Sequence, residues 1–379
     1  MSVPAATLDS KTTTTVAMKG GGYYSQRTLG AKHVIDKATP MLLDAIAALP
    51  EPPAGQPLHI ADFGAADGGT SLEALYRVVE AARARMPDRQ ILITYTDLPS
   101  NDFSQLFRTA LGLDGDPALS AIKSFDGVFV HACGIGFHQQ LVPDASLDLG
   151  FSATAMHYVS DKPCEIEDHV HMVGASGDTL AAYAEQAAAD WERILLARAA
   201  ELRPGGRLVF MNFGKDEAGR HLGHTGGVNM FDTFNKHWAA MRDEGLITAD
   251  EYRDASFPQF YRTVDEFCAP FNDAQSAVSR AGLRLVSAQT GVVRCPYQQA
   301  FEAANGAMDP RSFARSLIPT MRSWSETVFA NALDPARPAD ARFALVDQFY
   351  QRYEDEVAAS PQGHAMDYVH CYLAAEKVS

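Results

Sequence analysis

The sequence predicts an α/β fold, a Rossmann-like open sheet flanked by helices, and three observations point to it. Leu58–Phe63 is a short apolar run with Asp62 near its end, and the small-residue turn Gly64-Ala65-Ala66-Asp67-Gly68-Gly69 leads into Leu72, Leu75, Tyr76 and Val79 at helical spacing. Ile91–Thr96 repeats the pattern and runs into a second acid, Asp97. Strand-type and helix-type segments then alternate through the first half of the chain.

In such a sheet the turn after a strand sits at its carboxyl end, where backbone N–H groups at a helix start can meet a nucleotide-like ligand. Gly64 carries no Cβ, which allows close approach of backbone and ligand. An acid closing the second strand is where this fold holds ribose hydroxyls, so Asp62 and Asp97 form the first candidate pair, against the plainer reading of two solvated strand-end carboxylates. The turn is not GxGxxG.

The remaining elements follow in order. Met18–Thr28, rich in glycine and aromatics, reads as a loop, or as a segment that folds over a ligand with Tyr24 and Thr28 inward, and a helix follows over 31–49. After Asp97, Asn101 or Asp102 can cap the helix bearing Leu106, Phe107 and Leu111. Residues 127–131 form a third strand, leading into the turn Ala132-Cys133-Gly134-Ile135-Gly136-Phe137-His138. Residues 147–151 form a fourth, leading into Ser152-Ala153-Thr154-Ala155-Met156-His157-Tyr158. Four strand ends thus deliver polar or aromatic groups to one sheet edge. A long helix over 179–202 stops at Arg203-Pro204-Gly205-Gly206, and 207–213 is the next strand. Strand signals vanish from 214 to 280, return at 283–289, and return again at 367–376 after a mostly helical stretch, so the last two strands can close the sheet as an antiparallel pair.

At 379 residues and 46% hydrophobic, the chain has ample material for one large domain with an elaboration. A formal charge of -15 argues against a partner with a phosphate backbone, which excludes nucleic acid. Five dispersed cysteines without a CxxC suggest neither zinc nor a disulfide framework, and with no apolar run of membrane-spanning length a cytoplasmic location is expected. Glu165, Glu167, Asp168, His169 and His171 are metal-ligand types, but their spacing and polar neighbours read as an exposed loop.

With these stretches quoted, the sequence resembles the salicylate, benzoate, jasmonate and theobromine (SABATH) methyltransferases, in a microbial form. Met18–Ala31 is similar to their MxGGxGxxSYAxNSxxQ, and Ala61–Ser71 to ADLGCSSGPNT. Asp97-Leu98-Pro99-Ser100-Asn101-Asp102-Phe103-Ser104 nearly reproduces DLPxNDFN, the most specific match. Gly134–Pro143 resembles GSFYxxLFP, and Ser152–Ser160 resembles SSYSLHWLS.

The resemblance implies a seven-stranded class I methyltransferase core over 18–213, 283–295 and 364–379. A helical cap over 214–282 and 296–363 and a flexible tail at 1–17 complete it. It further implies S-adenosylmethionine as cofactor, a small carboxylic acid as substrate, and a homodimer. Tyr24 and Thr28 would close over the cofactor. Asp62, Gly64 and Ala65 would lie beside its amino-acid portion, with Asp67 and Thr70 nearby. Asp97 would take the ribose hydroxyls, Leu98 the adenine, and Gly136 and Phe137 its far side. Gln26, His157 and Tyr158 would bind the acceptor, the last two being the catalytic candidates. The family's substrate glutamine falls at Ala31 and its tryptophan at Tyr158, and alanine cannot donate to a carboxylate. Magnesium, described in some plant relatives at D-x-F-N, meets an incomplete motif here, Asp254-Ala255-Ser256-Phe257.

Methyl transfer from a sulfonium is an in-line displacement, and a carboxylic acid is already ionised near neutral pH, so no general base is required. Positioning supplies the rate, and Tyr24 and Phe137 could add cation–π attraction of about 0.5–2 kcal/mol. A phenol or ring N–H acceptor would instead call for a base, with His157 the candidate. N- or phenol O-methylation, an NAD-dependent oxidoreductase and a catalytically silent cofactor binder are the alternatives.

Overall fold

The computed structural model describes residues 23–378. The tail expected at 1–17 and the Gly-rich stretch up to Gly22 lie outside them, as do the side chains of Tyr24 and Gln26. Tyr23–Arg27 is a helical turn, α1, where composition suggested a loop. Tertiary contacts account for this: Ser25 N–H donates to Asp67 Oδ2 at 3.0 Å, and the Tyr297 hydroxyl donates to the Arg27 carbonyl at 2.8 Å. Leu29–Ala48 (α2) follows and buries Val34, Ile35, Ala38, Leu42 and Ile46, one helical face.

The alternating half of the chain gives β1 (Leu58–Phe63), α3 (Leu72–Arg85), β2 (Ile91–Thr96), α4 (Phe103–Ala110), α5 (Ala121–Ser124), β3 (Val128–Cys133), β4 (Leu147–Ala153), α6 (Gly177–Glu201) and β5 (Leu202–Lys215). The second half adds α7 (Met230–Asp243), α8 (Ala249–Asp254), β6 (Arg262–Thr263), α9 (Val264–Asn272), α10 (Ala277–Arg280), β7 (Leu283–Val293), α11 (Pro296–Ala303), α12 (Pro310–Ala332), α13 (Ala339–Ala359) and β8 (Tyr368–Lys377). Of the two candidate caps for α4, Asp102 does the work, accepting from Gln105 N–H.

The strands order as β3-β2-β1-β4-β5-β8-β7, parallel from β3 to β5 and antiparallel on both sides of β8. The chain steps outward from β1 to β3 and returns to β4 on the other side of β1. Order therefore reverses between β1 and β4, and a crevice opens at their carboxyl ends. Every residue of β1 is buried, as expected of a central parallel strand.

Further expectations about the sheet need correction. Ala132 and Cys133 belong to β3, paired with Tyr95 and Thr96, so the turn there begins at Gly134. Arg203-Pro204-Gly205-Gly206 lies inside β5 and not in a turn before it. The Arg203 guanidinium ties that segment to Asp148 at 2.6 Å, and a register shift between Leu147 and Leu149 absorbs the irregular pairing. The stretch expected to be strand-free holds β6, which pairs with the end of β5.

The 214–282 and 296–363 segments pack as helices around one aromatic core. Phe234 of α7, Phe329 of α12 and Phe349 of α13 meet at ring separations of 4.3–5.6 Å. His169 and His171, expected on an exposed loop, are buried beneath this cap.

Candidate active site

Asp62 is buried, 3% exposed, and its Oδ2 accepts from the Ser71 hydroxyl at 2.6 Å. Burial pushes its carboxyl up to about 7, the Ser71 bond opposes this, and the nearby Asp97 charge adds to it. Residues 62 and 95 pair across β1 and β2, so Asp62 and Asp97 leave neighbouring parallel strands at the same edge. Asp97, half-buried, accepts from Ala66 N–H and Leu98 N–H, both at 2.7 Å. Its carboxyl is also raised by burial, against the pull of those two backbone bonds.

The β1–α3 turn is held from several sides. Gly64 and Ala65 N–H donate to the Thr96 carbonyl, and the Asn101 amide donates to the Ala66 carbonyl at 2.8 Å. Asp67 bridges Ser25 N–H and Gly69 N–H, tying α1 to the turn, and half-buried Thr70 closes it. Gly64 has φ +77°, and a Cβ there would come within 2.5 Å of the Ala155 Cβ, so glycine is required by both conformation and space. On the far side, a Cβ at Gly136 would touch Leu98 at 3.4 Å, so these two loops face each other. The Phe137 carbonyl accepts from Arg198 at 2.9 Å. The crevice thus gathers Asp62, Gly64, Ala65, Asp67, Asp97, Leu98 and Gly136, with Phe137 next along the loop after β3.

Thr28 lies elsewhere. Together with Thr154, His157, Tyr158, Phe213, Leu222, Gln259, Tyr261, Trp324, Met366 and Tyr368 it walls a second space, adjoining the crevice through the 154–158 loop. That space is narrow, with about 20 Å³ open to the centre of a water molecule. His157 is buried against Tyr158, Phe213 and Tyr261, at ring separations of 4.4, 4.9 and 5.8 Å. Its Nδ1 has no hydrogen-bond partner among the described residues. Burial holds its pKa well below the usual histidine value, with His370 and Arg262 adding to the effect, so the ring is neutral.

The sequence reading missed Gln259, Tyr261 and Trp324, which come from the cap. No spacing within the cap announces that they reach a strand-end loop. Pairing does: Tyr158 and Gln259 form an isolated bridge, and Phe260 N–H donates to the His157 carbonyl at 2.9 Å. Among the described residues no group of three or more His, Cys, Asp or Glu could hold a metal ion.

Residues 13–377 match the family described as SAM dependent carboxyl methyltransferase. The chain is 28% identical to gibberellic acid methyltransferase 1 of Arabidopsis thaliana, covering 67% of this chain and 72% of that one. It is 26% identical to loganic acid O-methyltransferase of Catharanthus roseus, covering 66% and 70%. Among solved structures, a loganic acid methyltransferase with SAH superposes at a TM-score of 0.72 and 19% identity, covering 96% of this chain and 99% of that one, a likeness of fold.

Proposed function

The chain belongs to the SAM-dependent carboxyl methyltransferase family, and on that premise we propose that its strand-end crevice holds the cofactor while the cavity beside His157 holds the acid. The reaction is transfer of a methyl group from S-adenosylmethionine to the carboxylate of a small organic acid, giving a methyl ester and S-adenosylhomocysteine. When bound, the cofactor supplies an electrophilic methyl on a sulfonium.

The observation that carries the division of the site is Asp62. A fully buried carboxylate with one hydroxyl partner is costly, and a cationic ammonium beside it removes much of that cost. The wall next to it is Cβ-free at Gly64, so it fits the amino-acid end of the cofactor. Asp97 uses one lone pair on each oxygen for Ala66 and Leu98, leaving acceptor capacity for a ribose diol. Leu98, Gly136 and Phe137 would flank the adenine, and Tyr24 would close over it.

For the acceptor, the neutral His157 is informative. A ring held far below its ordinary pKa is a weak base, poorly suited to deprotonating a phenol. A carboxylate arrives ionised and needs only alignment and dry surroundings. His157 and Tyr158 orient the acid, and the aromatic cap excludes water. At about 20 Å³ the space admits little more than a water, so the acid parts the lining rings at 157, 158, 213, 261, 324 and 368 on entry, and those rings favour a compact apolar or flat body.

A homodimer belongs to the same reading, supported by the family resemblance, and a cytoplasmic location is supported by the five dispersed cysteines; light scattering of the purified chain addresses the dimer. No described helix is long and apolar enough to cross a membrane. Calorimetry with S-adenosylmethionine, followed by benzoic, cinnamic, indole-acetic, fatty and dicarboxylic acids with methyl-labelled cofactor, tests the function. Cofactor binding with labelled ester from at least one acid is expected. Label on nitrogen or phenol acceptors alone would refute the carboxylate assignment.

A further inference from the structure

The acceptor cavity needs donors for a carboxylate, and the two positions where relatives carry glutamine and tryptophan hold Ala31, buried in α2, and Tyr158. The cap brings a glutamine and a tryptophan to the same cavity from other elements, Gln259 ahead of β6 and Trp324 on α12.

The orientation of the Gln259 amide follows from its neighbours. Val173 N–H donates to His171 Nδ1 at 3.2 Å, so that nitrogen carries a lone pair. The imidazole is 0% exposed, stacked on Phe231 at 3.8 Å, and burial keeps it neutral. Its one proton therefore sits on Nε2, which lies 3.1 Å from Gln259 Oε1 and must donate to it. The Tyr261 hydroxyl donates to the same oxygen at 3.2 Å. With Oε1 committed twice, the amide N–H groups are turned away from both donors and have no partner among the described residues. Trp324, packed among the rings of Phe231, Phe234 and Phe257, likewise has an indole N–H without a partner among those residues. A buried indole left unsatisfied is costly in an apolar wall, and a bound anion within reach of it and of the unpaired Gln259 amide N–H groups removes that cost.

We propose that Gln259 and Trp324 are the residues that read the acceptor's carboxylate, replacing from the cap the two donors that relatives supply from α2 and the β4 loop. This rests on the acid reading above. The proposal makes Gln259 a specificity determinant: its N–H donors favour an anionic oxygen over a ring N–H, which would need an acceptor there.

Substitutions in the full chain test it, with KM for the preferred acid and cofactor Kd measured side by side. Gln259→Glu is nearly isosteric and keeps one oxygen for His171 and Tyr261, but sets a second oxygen where the NH2 stood. Gln259→Leu removes the donors, and Trp324→Phe removes only the indole N–H. Each is expected to raise the acid KM roughly tenfold to a hundredfold, Gln259→Glu most, with cofactor Kd unchanged. Parental acid KM in both Gln259 variants, with the parent methylating acids normally, overturns the proposal and leaves the function standing. A parent that methylates no acid overturns both. Should Gln259→Leu fold poorly, Gln259→Glu with intact cofactor binding still decides.

Discussion

Asp97, at the end of β2, accepts the backbone N–H of Ala66 from the β1 turn at 2.7 Å, so one carboxylate clamps two strand-end loops while facing the crevice. Ala66 is one of few non-glycine residues here with positive φ, +50°, a conformation that needs outside support. Asp97→Ala should therefore loosen the turn and remove the ribose acceptor together. We expect cofactor affinity to fall by about 1.5–3 kcal/mol by calorimetry. Unchanged affinity would mean the ribose is held elsewhere.

Asp62 points to a trade between stability and binding. Its folded pKa, about 7, lies above the ordinary carboxyl value of 3.8, so between those values the folded state binds more protons than the unfolded one. Its favourable contribution is complete below 3.8 and is lost as pH rises through about 7. Asp62→Asn keeps an oxygen for Ser71 and removes the buried charge. It should stabilise the cofactor-free protein at pH 8 by up to about 4 kcal/mol, the full shift at 1.36 kcal/mol per unit, while weakening cofactor binding. A lower urea midpoint for the variant at pH 8 would show that the carboxylate already has a compensating partner.

How much of this could be read from residues alone follows from range. The crevice was readable because its groups sit at strand ends, where local runs such as Leu58–Phe63 and Ile91–Thr96 place Asp62 and Asp97 without knowledge of the rest of the chain. The acceptor wall was not, because Gln259 and Trp324 reach it through packing that no periodicity encodes. Pro204 and Gly205 misled for a related reason: punctuation residues read as a turn, but the tie from Arg203 to Asp148 draws them into β5. His169 and His171 looked exposed by neighbourhood, although the Phe231 ring of α7 covers His171.

Arg198 and Glu201, both fully buried on α6, brace the loop that presents Gly136 and Phe137. The guanidinium donates to the Phe137 and Gln139 carbonyls at 2.9 and 2.7 Å, and the Glu201 carboxylate accepts from Leu141 N–H at 2.5 Å. Removing one partner strands the other charge, so Arg198→Ala should cost about 3–5 kcal/mol of stability. Arg198→Lys keeps the charge but not the planar fork, and should weaken cofactor binding more than it lowers the melting temperature. Parental cofactor Kd in a folded Arg198→Lys protein would show that the loop does not need this brace.

Tyr158 stands on the acceptor side, its ring 4.4 Å from His157. Tyr158→Ala should widen the narrow cavity and shift the order of acids accepted in the labelled-methyl panel, with cofactor affinity unaltered. An unchanged order of acids would place the acceptor beyond this wall.

Buried histidines set the behaviour of the protein in mild acid. Burial lowers His59, His138 and His221 to about 4 and His370 to about 3, from the ordinary imidazole value of 6.5. Between those values the unfolded chain binds the extra protons, so stability rises with pH there; the histidine contribution is fully present above 6.5 and is lost as pH falls toward 4. Asp62, Asp97 and Asp148, all raised by burial, work in the opposite sense, but burial lowers His157, His171, His237 and His364 as well, so the imidazoles outnumber the carboxylates. The urea midpoint should therefore drop between pH 7.5 and pH 5, with a slope that grows as pH falls below 6.5 and is steepest near about pH 5, midway between the unfolded and folded values. His370→Phe, which fills a site already lined by Phe213, Tyr368 and Tyr372, should flatten that slope by about one proton's worth. A midpoint that holds steady or climbs toward pH 5 would mean that these imidazoles are charged in the folded protein.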